Sequence, residues 1–263
     1  LPGIQAGGGI AGCGRGRTAD AILRDMKVRL FTIPNLLTLA NLVCGSVGVV
    51  MALSGGRLTT AFCLMILAAV FDFFDGFVAR LLGQSSPIGL QLDSLSDDIS
   101  FGLLPASILY VLYGRMPSLW LGEGPAAEAA AYAVFVVAAF AALRLAKFNI
   151  DDTQRMEFCG LPSPAAALLC GSLGLLAERN GLVLPREAVL AVAAAAAWLM
   201  VSGIRMFALK FHGFGWRGNE LRYSFLAAGA AMIVLLRGYA VPLVIALYVV
   251  VSFVRGLACR TNQ

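Results

Sequence analysis

Residues Val70–Ser100 read VFDFFDGFVARLLGQSSPIGLQLDSLSDDIS. Five acids, Asp72, Asp75, Asp93, Asp97 and Asp98, stand here between flanks greasy enough to cross a bilayer. An unpaired acid at such depth costs roughly 2.5–3.5 kcal/mol on insertion scales, and buried acids of this kind mark functional sites. Asp72 and Asp75 are three residues apart and Asp93 and Asp97 four, so each pair shares a helix face. Gly83–Pro87 (GQSSP) is a short breaker between the two helices. The helices are therefore expected to fold back antiparallel and bring four carboxylates together. Like charges at that range repel unless protons or cations intervene. Hard divalent cations are the simplest remedy, and Mg²⁺ is usually held by carboxylates together with substrate phosphates.

Small residues accompany the acids. Gly76 and Ala79 share a stripe with Asp72 and Asp75, and Gly89 one with Asp93 and Asp97. The two glycines remove side chains beside the acids, so a ligand or a second backbone can come close. Arg80 follows at the membrane edge, where a guanidinium can grip a phosphate. A purely structural role, acids buried against arginines, fits poorly: Arg80 alone cannot neutralise four carboxylates.

The 263 residues are 59% hydrophobic and 13% charged, well below the roughly one quarter charged of a soluble domain. The chain reads as one polytopic, all-α membrane domain over residues 32–263. Leu1–Thr18 is glycine-rich, lacks the apolar run of a secretory signal and is expected to be a disordered tail. Ala19–Phe31 sets Ile22, Leu23, Met26 and Leu30 against Arg24, Asp25, Lys27 and Arg29, an amphipathic helix for the headgroup plane or an ordinary solvated linker. Eight spans follow, at Pro34–Leu53, Leu58–Leu82, Ile88–Tyr113, Pro125–Phe148, Leu161–Leu176, Arg186–Leu209, Tyr223–Leu236 and Ala240–Leu257. With a cytoplasmic N-terminus, eight crossings put fifteen of the twenty lysines and arginines in the cytoplasm, which supports both termini inside. The net charge of +5 suits anionic lipid rather than a nucleic-acid groove. Six scattered cysteines without a CxxC pair read as small apolar residues, and His212 as incidental.

The acid pattern, D-x2-D-G-x2-A-R-x8-G-x3-D-x3-D, resembles the signature of the CDP-alcohol phosphotransferase family at Asp72, Asp75, Gly76, Ala79, Arg80, Gly89, Asp93 and Asp97. Pro34, Asn35, Leu37 and Thr38 match a further family stretch, whose polar residues are thought to line the nucleotide pocket. Asn41 departs from it, since many members with a phosphorylated acceptor carry arginine there. LRLAKFN (Leu143–Asn149), FCGLPSPAAA (Phe158–Ala167) and LMVSGIRMFALK (Leu199–Lys210) look like the membrane-embedded phosphatidylserine synthase branch.

The resemblance implies a bundle of membrane helices in the cell (inner) membrane, homodimeric, with its site facing the cytoplasm. It implies transfer of a phosphatidyl group from CDP-diacylglycerol to L-serine, giving phosphatidylserine and CMP. Asp72, Asp75, Asp93 and Asp97 would hold two divalent cations, Mg²⁺ or Mn²⁺, and Asp97 would double as the base. Asn35, Thr38, Asp72, Gly76, Arg80 and Gly89 would surround the CDP group. Arg144, Lys147, Asn149 and Ser163 flank the fourth and fifth spans on the same side and are candidates for the acceptor or a phosphate. Topological anchoring is the equal alternative for Arg144 and Lys147. Two other functions stay open: a sibling enzyme using glycerol phosphate or inositol, and a cation transporter. The transporter predicts midplane acids and internal repeats, whereas here the acids lie toward one end of their helices and no repeat is visible.

Overall fold

The computed structural model describes residues 30–84, 86–150, 158–206 and 220–261. The tail expected at 1–18 and nearly all of the amphipathic helix expected at 19–31 lie outside these residues.

Local chemistry sets the helix ends. Helix α1 (Ile33–Gly55) starts where the Thr32 hydroxyl accepts from the Asn35 N–H at 3.4 Å, with Pro34 in the first turn. It stops at Gly56, whose φ of 56° is left-handed. Helix α2 (Leu58–Leu82) stops in the same way at Gly83, φ 62°. Ser86 then caps α3 (Pro87–Asp97), accepting from the Gly89 N–H at 3.1 Å. The expected breaker is thus a glycine stop followed at once by a serine–proline start.

Helix α3 runs on through a π-helical turn, Asp98–Leu103, into α4 (Leu104–Arg115), one rod of 29 residues. A second composite rod joins α5 (Pro125–Ala131), a 3₁₀ turn (Tyr132–Phe135) and α6 (Val136–Ile150). Then come α7 (Ser163–Asn180), α8 (Arg186–Val201), α9 (Glu220–Leu236) and α10 (Ala240–Thr261). The described residues form eight helical rods. Among the described residues four of them, Ile33–Gly55, Leu58–Leu82, Pro87–Arg115 and Pro125–Ile150, are long and apolar enough to cross a membrane.

The sixth expected span needs correcting. It was expected to run to Leu209, but α8 ends at Val201. Ser202 and Gly203 leave the helix, and Arg205–Met206 pairs antiparallel with Phe158–Cys159. The backbone donors of Gly160 and Leu161 are met by Ile204 and Leu199 carbonyls at 2.9 Å, so extended pairing satisfies groups that a longer helix would have left bare. Gly160 (φ 82°) lies against the Met200 carbonyl where a Cβ would have to go. Gly160→Ala should therefore cost about 2 kcal/mol or more, from the left-handed backbone and the collision together. The expected readout is a lower Tm in detergent.

Contacts at the two ends show the rods alternating in direction. At one end Arg115 donates to the Gly56 carbonyl at 2.6 Å, and the Glu187 carboxylate gathers the N–H groups of Leu119, Trp120 and Leu121. At the other end α1, α2, α3, α6 and α7 bring their polar residues together, as described below. The α3–α4 rod is central: 61% of its apolar window is buried, against 22–28% for the other three long rods. Phe101, Leu104, Ile108, Leu109 and Leu112 are fully covered. Gly48 lets α1 approach α4, since a Cβ there would stand 2.7 Å from Leu104 Cδ2. The outward faces are apolar and open, with Val43 and Val50 on α1, Phe73 on α2 and Leu143 on α6 all more than half exposed. Water does not tolerate so continuous an apolar surface, whereas lipid tails do. The molecule is a membrane protein.

Candidate functional site

Helices α2 and α3 both pack on α1, and this brings Asp72, Asp75 and Asp93 together: each offers a carboxylate oxygen, and the three oxygens lie within 4.8 Å of one another. Helix spacing alone gives the first pair its common face. The capped turn at Gly83–Pro87 supplies the third. Asp97 falls outside this trio. It is nearly buried beside Asp72 and turns one oxygen toward α1, where Asn41 Nδ2 donates to Oδ1 at 3.1 Å.

The polar stripe of α1 forms the floor of the site. Thr38 donates to Asp75 Oδ2 at 2.6 Å, and Asn35, Thr38 and Asn41 are all buried. Asn35 donates to the Leu30 carbonyl at 2.9 Å and turns its oxygen toward Gly89, where a Cβ would stand 3.1 Å away. Arg80 is exposed and folds back along α2. One guanidinium nitrogen sits 3.3 Å from where a Gly76 Cβ would be, with Asp75 in electrostatic reach. Gly76 and Gly89 thus leave room for Arg80 and for Asn35 and Ser86, respectively.

These donors suit a hard divalent cation. All are oxygens, three converge, and Asp93 Oδ1 is buried with no hydrogen-bond partner among the described residues. A buried carboxylate oxygen without a donor costs free energy that a cation would recover.

The acceptor candidates divide. Arg144, on α6, donates through Nη1 to Ser163 Oγ at 2.8 Å, which joins α6 to the first turn of α7. Its Nε is buried without a partner, and Asp97 lies within electrostatic reach. Asn149 donates to Ser94 Oγ at 2.8 Å, bracing the end of α6 against α3 beside Asp93. Lys147 is exposed on the last turn of α6. Arg144, Ser163 and Asn149 thus reach the acid cluster or its supports, and Lys147 faces outward.

Sequence reading missed two features. Tyr248 on α10 lies within electrostatic reach of Arg144. Its only signal was a tyrosine inside an apolar run. The π-turn at Asp98–Leu103 had none, although such turns recur at functional sites. Asp98 lies on this turn, its Oδ1 at 2.7 Å from where a Gly102 Cβ would stand, where α6 comes close through Ala141. It is absent from the converging trio.

A family model described as CDP-alcohol phosphatidyltransferase matches residues 31–210. The chain is 36% identical over 141 residues to the CDP-diacylglycerol–serine O-phosphatidyltransferase of Methanocaldococcus jannaschii, covering 54% of this chain and 59% of that protein. It is 33% identical over 157 residues to the archaetidylserine synthase of Methanothermobacter thermautotrophicus, covering 59% and 63%. It is 35% identical over 146 residues to the CDP-diacylglycerol–serine O-phosphatidyltransferase of Helicobacter pylori, covering 53% and 56%. The chain thus spans less than two thirds of the length of each of these relatives.

Proposed function

The chain belongs to the CDP-alcohol phosphatidyltransferase family, and from that premise we propose that it transfers the phosphatidyl group of CDP-diacylglycerol to L-serine, releasing CMP. The observation that carries the proposal is the meeting of Asp72, Asp75 and Asp93 within 4.8 Å, with Asp97 beside them. The relatives named for serine transfer support the choice of acceptor.

In this reading residues 32–263 form one catalytic domain, preceded by the tail (1–18) and the juxtamembrane helix (19–31). It crosses the cell (inner) membrane eight times, with both termini and the acid cluster on the cytoplasmic side, as the lysine and arginine bias supports. The protein is a homodimer, which cross-linking in membranes would test.

Asp72, Asp75, Asp93 and Asp97 would hold two divalent cations, Mg²⁺ or Mn²⁺. When bound, the cations supply positive charge that offsets the diphosphate and favours departure of CMP. Asn35, Thr38, Gly76, Arg80 and Gly89 surround the CDP moiety: the glycines admit its backbone and Arg80 offers a fork to a phosphate. The serine hydroxyl oxygen attacks the phosphatidyl phosphorus. The bond from that phosphorus to the CMP phosphate breaks, and the hydroxyl proton passes to Asp97. Thr38 and Asn41 keep two of the carboxylates pointed inward.

Serine also carries a carboxylate and an ammonium group. Arg144 has a buried, unpartnered Nε, and Ser163 steadies its Nη1. This geometry suits a bidentate grip on the serine carboxylate, with Asn149 and Lys147 further out as phosphate candidates. Arg144→Lys keeps the charge and loses the fork. The apparent KM for serine should rise about tenfold, the scale of weakening a hydrogen bond to a charged group. The KM for CDP-diacylglycerol should move less. A rise confined to the lipid KM would assign Arg144 to the donor phosphates, and no change in either would make it an anchor.

The deciding experiment is CMP release from CDP-diacylglycerol by purified protein, with serine, glycerol phosphate or inositol as acceptor. Release is expected with serine alone. Release with another alcohol instead would move the protein to a sibling activity, and release with none would overturn the transferase reading.

A further inference from the structure

Asn41 faces Asp97 from α1, and its environment is fully built. Asn41 and Ser100 are both completely buried, and Asp97 nearly so. Ser100 Oγ lies 2.6 Å from Asn41 Oδ1 and 3.2 Å from the Asn41 carbonyl oxygen, so its single proton goes to the nearer side-chain oxygen. The opposite end of the same amide donates through Nδ2 to Asp97 Oδ1. A reversed amide would set its oxygen against the Asp97 carboxylate, acceptor facing acceptor. The carboxylate, which only accepts, therefore selects the amide orientation, and the Ser100 hydroxyl supports it by donating to the amide oxygen.

Two further features make room for this chain of contacts. Ser100 belongs to the π-turn that begins one residue after Asp97. Gly45, one helical turn beyond Asn41, is buried against Ser100: a Cβ there would collide with Ser100 Oγ and stand 3.0 Å from its Cα. Without a glycine at 45, the serine could not reach the amide.

We propose that Asn41, locked by Ser100, is the positioning residue for Asp97: its amide occupies one carboxylate oxygen and leaves the other presented to the acceptor hydroxyl. The inference rests on the transferase reading and deepens it, and it holds for any alcohol acceptor. Ser100 and Gly45 act through Asn41 and touch no substrate. Side chains that orient a reacting carboxylate in this way act on turnover more than on binding.

The test compares Asn41→Leu, Ser100→Ala and the double variant, using whichever alcohol the wild-type protein accepts. Asn41→Leu keeps the volume and deletes the donor. Its kcat should fall roughly ten- to a hundredfold, as for loss of a hydrogen bond to a charged group. Both KM values, and the Mn²⁺ affinity read by calorimetry, should stay within about threefold of wild type, since small changes of that size lie within the scatter of non-contacting sites. Ser100→Ala should lower kcat in the same direction by a smaller factor, and the double variant should match Asn41→Leu alone because both act on one contact. Ser100→Ala removes only a hydroxyl and keeps the test alive if Asn41→Leu does not fold. An unchanged kcat in either single variant, multiplicative effects in the double variant, or a loss of Mn²⁺ affinity that parallels the loss of kcat would overturn the proposal. Failure of serine with success of another alcohol leaves it standing and overturns only the choice of acceptor.

Discussion

Asp93→Asn should fold in detergent and lose turnover by at least about 10²–10³-fold, the scale seen when one group that stabilises transferring charge is removed. Asp72→Asn and Asp75→Asn should do the same. The reason is that Asp93 brings a third oxygen to the pair on α2 and has one oxygen buried without a donor. Chelation of wild-type protein should reproduce the loss, and Mg²⁺ or Mn²⁺ should restore it. A second readout does not depend on activity. Without a cation the three carboxylates repel one another in a half-buried site, so asparagine at 93 should leave the metal-free Tm unchanged or higher. Added Mn²⁺ should raise the Tm of wild type and raise that of the variant much less, because a ligand stabilises only the folded state that binds it. Full activity in EDTA, or in any of the three variants, would remove the metal centre from the mechanism.

Asp97→Asn is expected to lower kcat by about 10²–10⁴-fold, the usual range for loss of a general base. It should spare part of the binding of CDP-diacylglycerol. The structure motivates the distinction. Asp97 lies outside the trio that converges within 4.8 Å and is instead oriented by Asn41 from α1. Asparagine at 97 keeps the shape, yet it can no longer accept the proton of the acceptor hydroxyl. If lipid binding, Mn²⁺ affinity and turnover declined to the same degree, Asp97 would be a ligand and nothing more, and the base would have to be sought elsewhere.

Much of the site was legible in the sequence because its signals are local. The spacings 72–75 and 93–97 fix faces through the helix period. Gly83, Ser86 and Pro87 end one helix and start the next through their own backbone chemistry, which holds wherever the segment is placed. Asn35, Thr38 and Asn41 line one side of α1 for the same periodic reason, and their burial under the acids follows from the cost of leaving them in hydrocarbon. The apolar runs between breakers likewise located the helical rods that the described residues form.

Tertiary packing decided the rest. Which three acids converge depends on how α2 and α3 each seat on α1, and α1 is remote from Asp93 in the sequence. The π-turn changes the angular step just after Asp97, so a constant period of 3.6 residues cannot foretell where Ser100 points. The contacts of Arg144 with Ser163, Asn149 with Ser94 and Ser100 with Asn41 join residues 19, 55 and 59 positions apart. No local pattern encodes such pairs, because they form only once several rods have packed. The end of α8 at Val201 has the same cause: Leu199 and Ile204 meet the backbone of Leu161 and Gly160, partners that a reading of residues 186–209 does not contain. The sequence by itself determined the helices, their faces and the presence of an acid cluster, since these follow from short-range stereochemistry and from solvation. Only the tertiary structure decided which oxygen faces which, since that is a property of contacts across the bundle.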